Sequence, residues 1–190
     1  MKKKISNFVI SLITIICVLN FNNIGNSMED KTFYDFKLEL INGEKISLNE
    51  YKGKAVLLVN VASNCGFTKQ YDDLQNLWEN YKEKDLIVIG VPSNQFGNQE
   101  PGTNKEIKKF CETNFNITFP ITTKYDVKGD SAHEIYQWAK ENFGNSAVPK
   151  WNFHKILINK EGKIQNTFNS FTKPLSKKIT SEIEKILEIN

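Results

Sequence analysis

A nearly continuous apolar run, Ala55 to Val61, places the strongest constraint on the fold of this 190-residue chain. Such a run is typical of a strand that is covered on both faces of a sheet. It leads into a polar turn containing Cys65, and we predict a helix that starts at this cysteine. A thiol at a helix N-terminus faces unpaired N–H groups and the positive end of the helix dipole, which favour its thiolate. Because Thr68 stands where a Cys-x-x-Cys motif would place a second thiol, the pattern indicates a single nucleophilic cysteine.

The remaining hydrophobic pattern predicts an α/β fold in one domain. Strands are predicted over 33–41, 45–48, 55–61, 86–91, 153–159 and 163–168. In the helix that follows Cys65, Leu74, Leu77, Trp78 and Tyr81 recur at helical spacing, and further helices are predicted over 104–115, from Ser131 or Ala132 to Phe143, and over 174–189. Thr103 and Glu106 have capping-box spacing at the start of the second helix. This order describes a thioredoxin-like fold, with a central mixed sheet, helices on both faces and an extra N-terminal β-hairpin.

The charged residues exclude several classes of site. All 25 basic residues are lysine, so no guanidinium group is available to bind a carboxylate or phosphate in a bidentate manner. The formal net charge of +3 is carried by Lys2, Lys3 and Lys4, which argues against nucleic acid as a partner. His133 and His154 are not spaced with a cysteine or carboxylate as zinc ligands would be, and we predict neither a metal nor a cofactor.

The first 27 residues have the pattern of a targeting leader. Three lysines precede an apolar run over about residues 5–19, and small residues follow at Gly25 and Ser27. We therefore divide the chain into a leader over 1–27 and a folded domain over 28–190. The leader is expected to direct the protein to the secretory pathway or to an organelle such as a plastid. A second product that starts at Met28 would be cytosolic.

Three segments that follow or precede strands carry the candidate chemistry. Residues 60–68 follow the first buried strand, residues 92–101 follow the second, and Trp151-Asn152-Phe153 starts the third. In an open α/β sheet, ligands bind at the carboxyl ends of the parallel strands, and an antiparallel strand begins at that same edge. We therefore expect these segments to meet around Cys65.

These three segments resemble the signature segments of the glutathione peroxidase family, and the resemblance covers about residues 30–190. It implies reduction of hydrogen peroxide and organic hydroperoxides, with Cys65 as the peroxidatic residue and Gln99, Trp151 and Asn152 completing a tetrad. The thiolate would become a sulfenic acid as it reduces the peroxide. The three partners would supply neutral N–H donors, which stabilise an anion without a permanent cation.

A second cysteine, Cys111, resembles the resolving cysteine of the thioredoxin-dependent branch of this family. The resemblance implies that the sulfenic acid on Cys65 condenses with Cys111 to a disulfide, which thioredoxin then reduces. A disulfide needs Cα atoms within about 7 Å, and the two cysteines are predicted on different helices. We therefore predict that residues 103–117 partly unwind in each cycle. Lys105, Lys108 and Lys109 could steer an acidic partner, although a solvated lysine face also explains them.

Other functions remain open at this point. A glutathione-dependent peroxidase is the second choice, because the absence of arginine and the short 142–150 segment favour a monomer that uses a protein reductant. A redox sensor or relay would need the same two thiols. A peroxiredoxin is disfavoured, since residues 60–65 lack its Pro-x-x-x-Thr-x-x-Cys pattern. A non-catalytic binding module is disfavoured, since Gln99, Trp151 and Asn152 are all present.

Overall fold

A computed structural model describes residues 31–189 as a four-stranded sheet with helices on both faces. The strands are β1 (Lys37–Glu39), β2 (Lys45–Ser47), β3 (Ala55–Val61), β4 (Leu86–Pro92), β5 (Lys155–Ile158) and β6 (Ile164–Phe168), and the helices are α1 (Gln70–Tyr81), α2 (Asn104–Phe115), α3 (Glu134–Phe143) and α4 (Lys177–Leu187). The leader over 1–27 and the start site at Met28 lie outside the described residues.

The sheet has the strand order β4–β3–β5–β6. β3 pairs in parallel with β4 and antiparallel with β5, and β5 pairs antiparallel with β6. β1 and β2 form a separate antiparallel hairpin before this sheet. The predicted fold class is therefore confirmed, including the mixed sheet and the N-terminal hairpin.

Alternate residues of β3 serve two apolar cores. Val56 and Leu58 face the core that contains α3 and the N-terminal hairpin. Leu57 and Val59 face the core built with α1, α2 and α4. This arrangement explains the continuous apolar run, because every residue of β3 is buried on one face or the other.

The helix boundaries follow local capping. α2 begins where the capping box predicts, since the Thr103 N–H donates to Glu106 Oε2 over 2.7 Å and Thr103 Oγ1 accepts the Glu106 N–H. α3 begins at Glu134, later than predicted, because His133 Nδ1 accepts the Ile135 N–H and caps the helix. Among residues 31–189, no helix is long and apolar enough to cross a membrane.

Candidate active site

Cys65 lies in the turn between β3 and α1. The predicted position at the start of a helix is wrong, because α1 begins only at Gln70. The side chain of Thr68 organises this turn, accepting the Cys65 N–H over 3.0 Å and donating to the Ala62 carbonyl over 2.9 Å. The turn still presents one amide to the sulfur, since the Phe67 N–H donates to Cys65 Sγ over 3.4 Å. Cys65 is half-buried at this edge of the sheet.

Asn60, the penultimate residue of β3, joins this edge to the segment that starts β5. Its Nδ2 donates to the Trp151 carbonyl over 3.1 Å, and its Oδ1 accepts the His154 N–H over 3.1 Å. Its own carbonyl accepts the Phe153 N–H over 2.6 Å. Asn60 is 1% exposed, so these bonds are made away from water. They fix the backbone of Trp151, Phe153 and His154 against the strand that leads to Cys65.

Gln99 and Asn152 form a direct side-chain pair. Asn152 Nδ2 donates to Gln99 Oε1 over 2.9 Å. The Gln99 carbonyl also accepts the N–H of Asn64, the residue before Cys65, over 3.0 Å. Trp151 packs against Phe96 with ring centroids 5.9 Å apart and remains 41% exposed. The three predicted segments therefore meet at one edge of the sheet, as expected.

None of the three predicted donors, Gln99, Trp151 and Asn152, makes a hydrogen bond to the Cys65 sulfur within residues 31–189. The Asn152 amide instead donates to Gln99, which leaves the Gln99 Nε2 group without a partner among the same residues. The structure thus brings the predicted residues to the cysteine-bearing turn, whereas direct stabilisation of the sulfur by their side chains stays a prediction.

Glu100 is a buried carboxylic acid beneath this turn. It is 1% exposed, and its Oε2 accepts the Ser63 N–H over 2.9 Å. Burial raises the pKa of Glu100, while the hydrogen bonds from Ser63 and the charge of Lys124 oppose that rise. Because Glu100 directly follows Gln99, it connects the loop after β4 with the Cys65 turn.

Cys111 lies on the inner face of α2 and is 1% exposed. Burial raises the pKa of this thiol to about 11, and the hydroxyl group of Tyr71 lies against it. Both cysteines of the described chain are free thiols, and both pack against the same apolar core. Lys105, Lys108 and Lys109 lie on the exposed side of α2.

Neither histidine lies in a metal-ligand cluster, and no group of three potential metal ligands occurs within residues 31–189. Burial lowers the pKa of His154 to about 4, helped by the charges of Lys155 and Lys150. His133 serves as the cap of α3.

Comparison with known proteins identifies the family. The glutathione peroxidase family model matches residues 33–140, which include Cys65, Gln99 and Cys111. The chain belongs to the glutathione peroxidase family. The predicted family is therefore confirmed, and membership makes the chain a peroxidase.

Individual relatives extend the similarity beyond residue 140. A glutathione peroxidase-like peroxiredoxin 2 from Saccharomyces cerevisiae is 42% identical over 160 residues, covering 82% of this chain and 97% of the relative. The glutathione peroxidase-like peroxiredoxin GPX5 of Chlamydomonas reinhardtii is 41% identical over 162 residues, covering 84% and 99%. Among solved structures, the crystal structure of Trgpx in apo form has a TM-score of 0.68 and 36% identity, covering 83% of this chain and 96% of that one.

Sequence reasoning missed the residues that support this glutathione peroxidase site. Asn60, Glu100 and Lys155 are polar side chains buried in or next to strands, and each holds a backbone or side-chain partner from another segment. Asn60 carried a usable signal, since it is an amide that interrupts an otherwise apolar strand. A polar residue at such a position needs a hydrogen-bond partner.

Proposed function

We propose that this peroxidase is a two-cysteine thiol peroxidase that reduces hydrogen peroxide and organic hydroperoxides and is regenerated by thioredoxin. The observation that carries the proposal is the pair of free thiols on one apolar core, one half-exposed beside Gln99 and Asn152 and the other buried on α2. This distribution suits one thiol that meets peroxide and a second that reacts only afterwards. The relatives named glutathione peroxidase-like peroxiredoxins support the same assignment.

In the first step, the thiolate of Cys65 attacks one oxygen of the hydroperoxide. The O–O bond breaks, Cys65 becomes a sulfenic acid, and the other oxygen leaves as an alcohol or water after it gains a proton. The Phe67 N–H is aligned to stabilise the anionic sulfur before attack. The Asn152 amide holds Gln99 Oε1, so the Nε2 group of Gln99 is left to donate to the leaving oxygen.

In the second step, the thiol of Cys111 attacks the sulfur of the sulfenic acid. A disulfide forms between Cys65 and Cys111, and one water molecule leaves with the thiol proton. Thioredoxin then transfers two electrons and two protons to this disulfide by thiol–disulfide exchange, restoring both cysteines and leaving with its own disulfide. Because Cys111 is 1% exposed on a capped helix, we propose that α2 opens for this step.

Turnover assays with two serine variants test the cycle. Cys65→Ser is expected to abolish hydroperoxide reduction. Cys111→Ser is expected to reduce one equivalent of peroxide and then stop in the presence of thioredoxin and its reductase. The two-cysteine cycle would be ruled out if Cys111→Ser turned over with thioredoxin as fast as the unmodified protein does. Faster turnover with glutathione than with thioredoxin would favour the glutathione-dependent alternative.

We further propose that the folded domain over 28–190 acts as a monomer and that residues 1–27 are a targeting leader. The three lysines before an apolar run support the leader, and the short 142–150 segment supports the monomer. N-terminal sequencing of the native protein and its mass in solution test these points. A native protein that starts at Met1, or that sediments as a tetramer, would contradict them.

A further inference from the structure

Two aromatic rings, one of them highly exposed, pack against each other next to the Cys65 turn. Phe171 is 80% exposed, and its ring meets that of Phe67 edge to face with centroids 5.1 Å apart. Phe67 in turn supplies the amide that donates to Cys65 Sγ. On another side of the same edge, the half-exposed ring of Trp151 and the ring of Phe171 border one groove of about 420 Å³. We call Phe67, Phe171 and Trp151 the aromatic rim.

The loop that carries Phe171 is held in place by buried polar groups. Gln70 Nε2 donates to the Ser170 carbonyl over 2.6 Å, and Lys155 Nζ donates to the Thr172 carbonyl over 2.7 Å. These bonds lie on either side of Phe171, and Lys155 also donates to Gln70 Oε1. Gln70 is 8% exposed and Lys155 is fully buried, so water does not compete for these bonds. Phe171 is therefore presented on a fixed loop, which lowers the entropy lost when a partner covers it.

The three segments that carry the rings of the aromatic rim have charged side chains of one sign only. The segments 63–70, 148–154 and 169–173 contain no aspartate or glutamate, and each contains one exposed lysine. These three lysines, Lys69, Lys150 and Lys173, follow or precede the three rings by one or two residues. A surface of this kind complements a partner with an apolar centre and an acidic periphery.

We propose that the aromatic rim with its three lysines is the docking surface for thioredoxin, with Phe171 as its anchor. This inference rests on the proposed function, because the reductant has to bring a sulfur atom into bonding distance of the Cys65–Cys111 disulfide. Whatever surrounds Cys65 then becomes the contact surface of that reductant. A protein dithiol covers fixed aromatic side chains during attack, and exposed aromatic anchors of this type contribute strongly to protein interfaces.

Separate measurement of the two half-reactions tests the surface. The unmodified protein and Phe171→Ser are oxidised with one equivalent of hydrogen peroxide and then mixed with reduced thioredoxin while tryptophan fluorescence is followed. The ratio of the thioredoxin rate constant to the peroxide rate constant is expected to fall roughly tenfold or more in Phe171→Ser. Phe143→Ser, which changes an aromatic side chain that is 36% exposed at the end of α3, is the matched control and is expected to keep the ratio.

The charge of the surface has its own readout. Lys173→Glu is expected to lower the thioredoxin rate constant at low salt and to flatten its dependence on ionic strength. Lys163→Glu, at the β5–β6 turn at the other end of these strands, is expected to leave that dependence unchanged. An unchanged salt dependence in Lys173→Glu would contradict the steering role.

The outcomes separate this proposal from the one on which it rests. If thioredoxin fails to reduce the oxidised unmodified protein, the proposed function is wrong. If it reduces the unmodified protein and Phe171→Ser equally fast, the docking surface is wrong and the function stands. If Phe171→Ser loses rate with cumene hydroperoxide relative to hydrogen peroxide and keeps its thioredoxin rate, the aromatic rim binds the apolar substrate instead, and the proposal is overturned.

Discussion

The buried side chain of Lys155 should make this protein more stable as the pH rises above 7. The side chain is fully buried at the start of β5, and its Nζ donates to Gln70 and to the Thr172 carbonyl. Burial lowers its pKa from 10.5 to about 7, and the charge of Asp73 only partly opposes this shift. The unfolded chain therefore binds more protons than the folded one between these values, so stability rises as pH rises from 7 to 10.5.

The size of the effect follows from the two pKa values. At pH 7 about half of the folded molecules carry the Lys155 proton, whereas nearly all unfolded molecules do. At pH 9 almost no folded molecule carries it, while the unfolded chain remains almost fully protonated. The difference in bound protons thus grows from about 0.5 to about 1, and integration over this range gives a gain of about 2 kcal/mol.

Urea denaturation of the unmodified protein and of Lys155→Met at pH 7, 8 and 9 measures this gain. Subtracting the variant removes every other titration, including that of Cys111. The free energy of unfolding of the unmodified protein should rise by about 2 kcal/mol relative to the variant between pH 7 and pH 9. Lys163→Met, an exposed lysine in the β5–β6 turn, should show no such change. A constant difference between the free energies of unfolding of the unmodified protein and Lys155→Met would mean that the buried lysine stays charged, and would contradict a pKa of about 7.

Three further predictions concern the site. Asn60→Ala leaves the Trp151 carbonyl and the His154 N–H without their buried partner. It should therefore lower the free energy of unfolding by about 2–4 kcal/mol and slow the oxidation of Cys65 by peroxide in stopped-flow assays. A stable variant with an unchanged rate would show that Asn60 does not hold the start of β5 against β3. Burial raises the pKa of Cys111 to about 11, so the thiol ionises at lower pH in the unfolded chain than in the folded one. The free energy of unfolding of the unmodified protein should therefore fall by about 3 kcal/mol relative to that of Cys111→Ala as pH rises from about 8.5 to 11. An equal pH dependence of the two unfolding free energies would argue against this shift. Amide exchange over 103–117 should be faster in the oxidised than in the reduced protein, and equal protection in both would contradict the opening of α2.

The sequence was sufficient where a local pattern decides the structure. The bounds of β3 follow from a run that must be covered on both faces, and those of α2 follow from the Thr103–Glu106 capping box. The prediction that a helix starts at Cys65 is wrong, because the Cys65 N–H donates to the Thr68 hydroxyl group in a turn that precedes α1. That hydrogen bond depends on side-chain geometry that spacing does not encode.

Long-range polar contacts account for the rest of what the sequence did not predict. A lysine at the start of a strand usually extends into water, yet Lys155 is buried because Gln70 and the Thr172 carbonyl lie opposite it. The pairing of Asn152 with Gln99 joins residues that are 53 positions apart. Such partners are known only once the strands are packed, whereas the meeting of the three segments follows from strand order alone.

The burial of Cys111 gives the proposed cycle its order. A thiol with a pKa of about 11 is ionised in about one molecule in ten thousand at pH 7, whereas an exposed cysteine with a pKa of about 8.5 is ionised in about 3%. Opening of α2 would therefore raise the thiolate fraction of Cys111 by about 300-fold, in addition to bringing the sulfur to Cys65. While α2 is closed, peroxide therefore reacts with Cys65, and Cys111 becomes a nucleophile only after α2 opens. The closed helix thus protects the resolving thiol from oxidation until α2 opens, and the opening permits the disulfide.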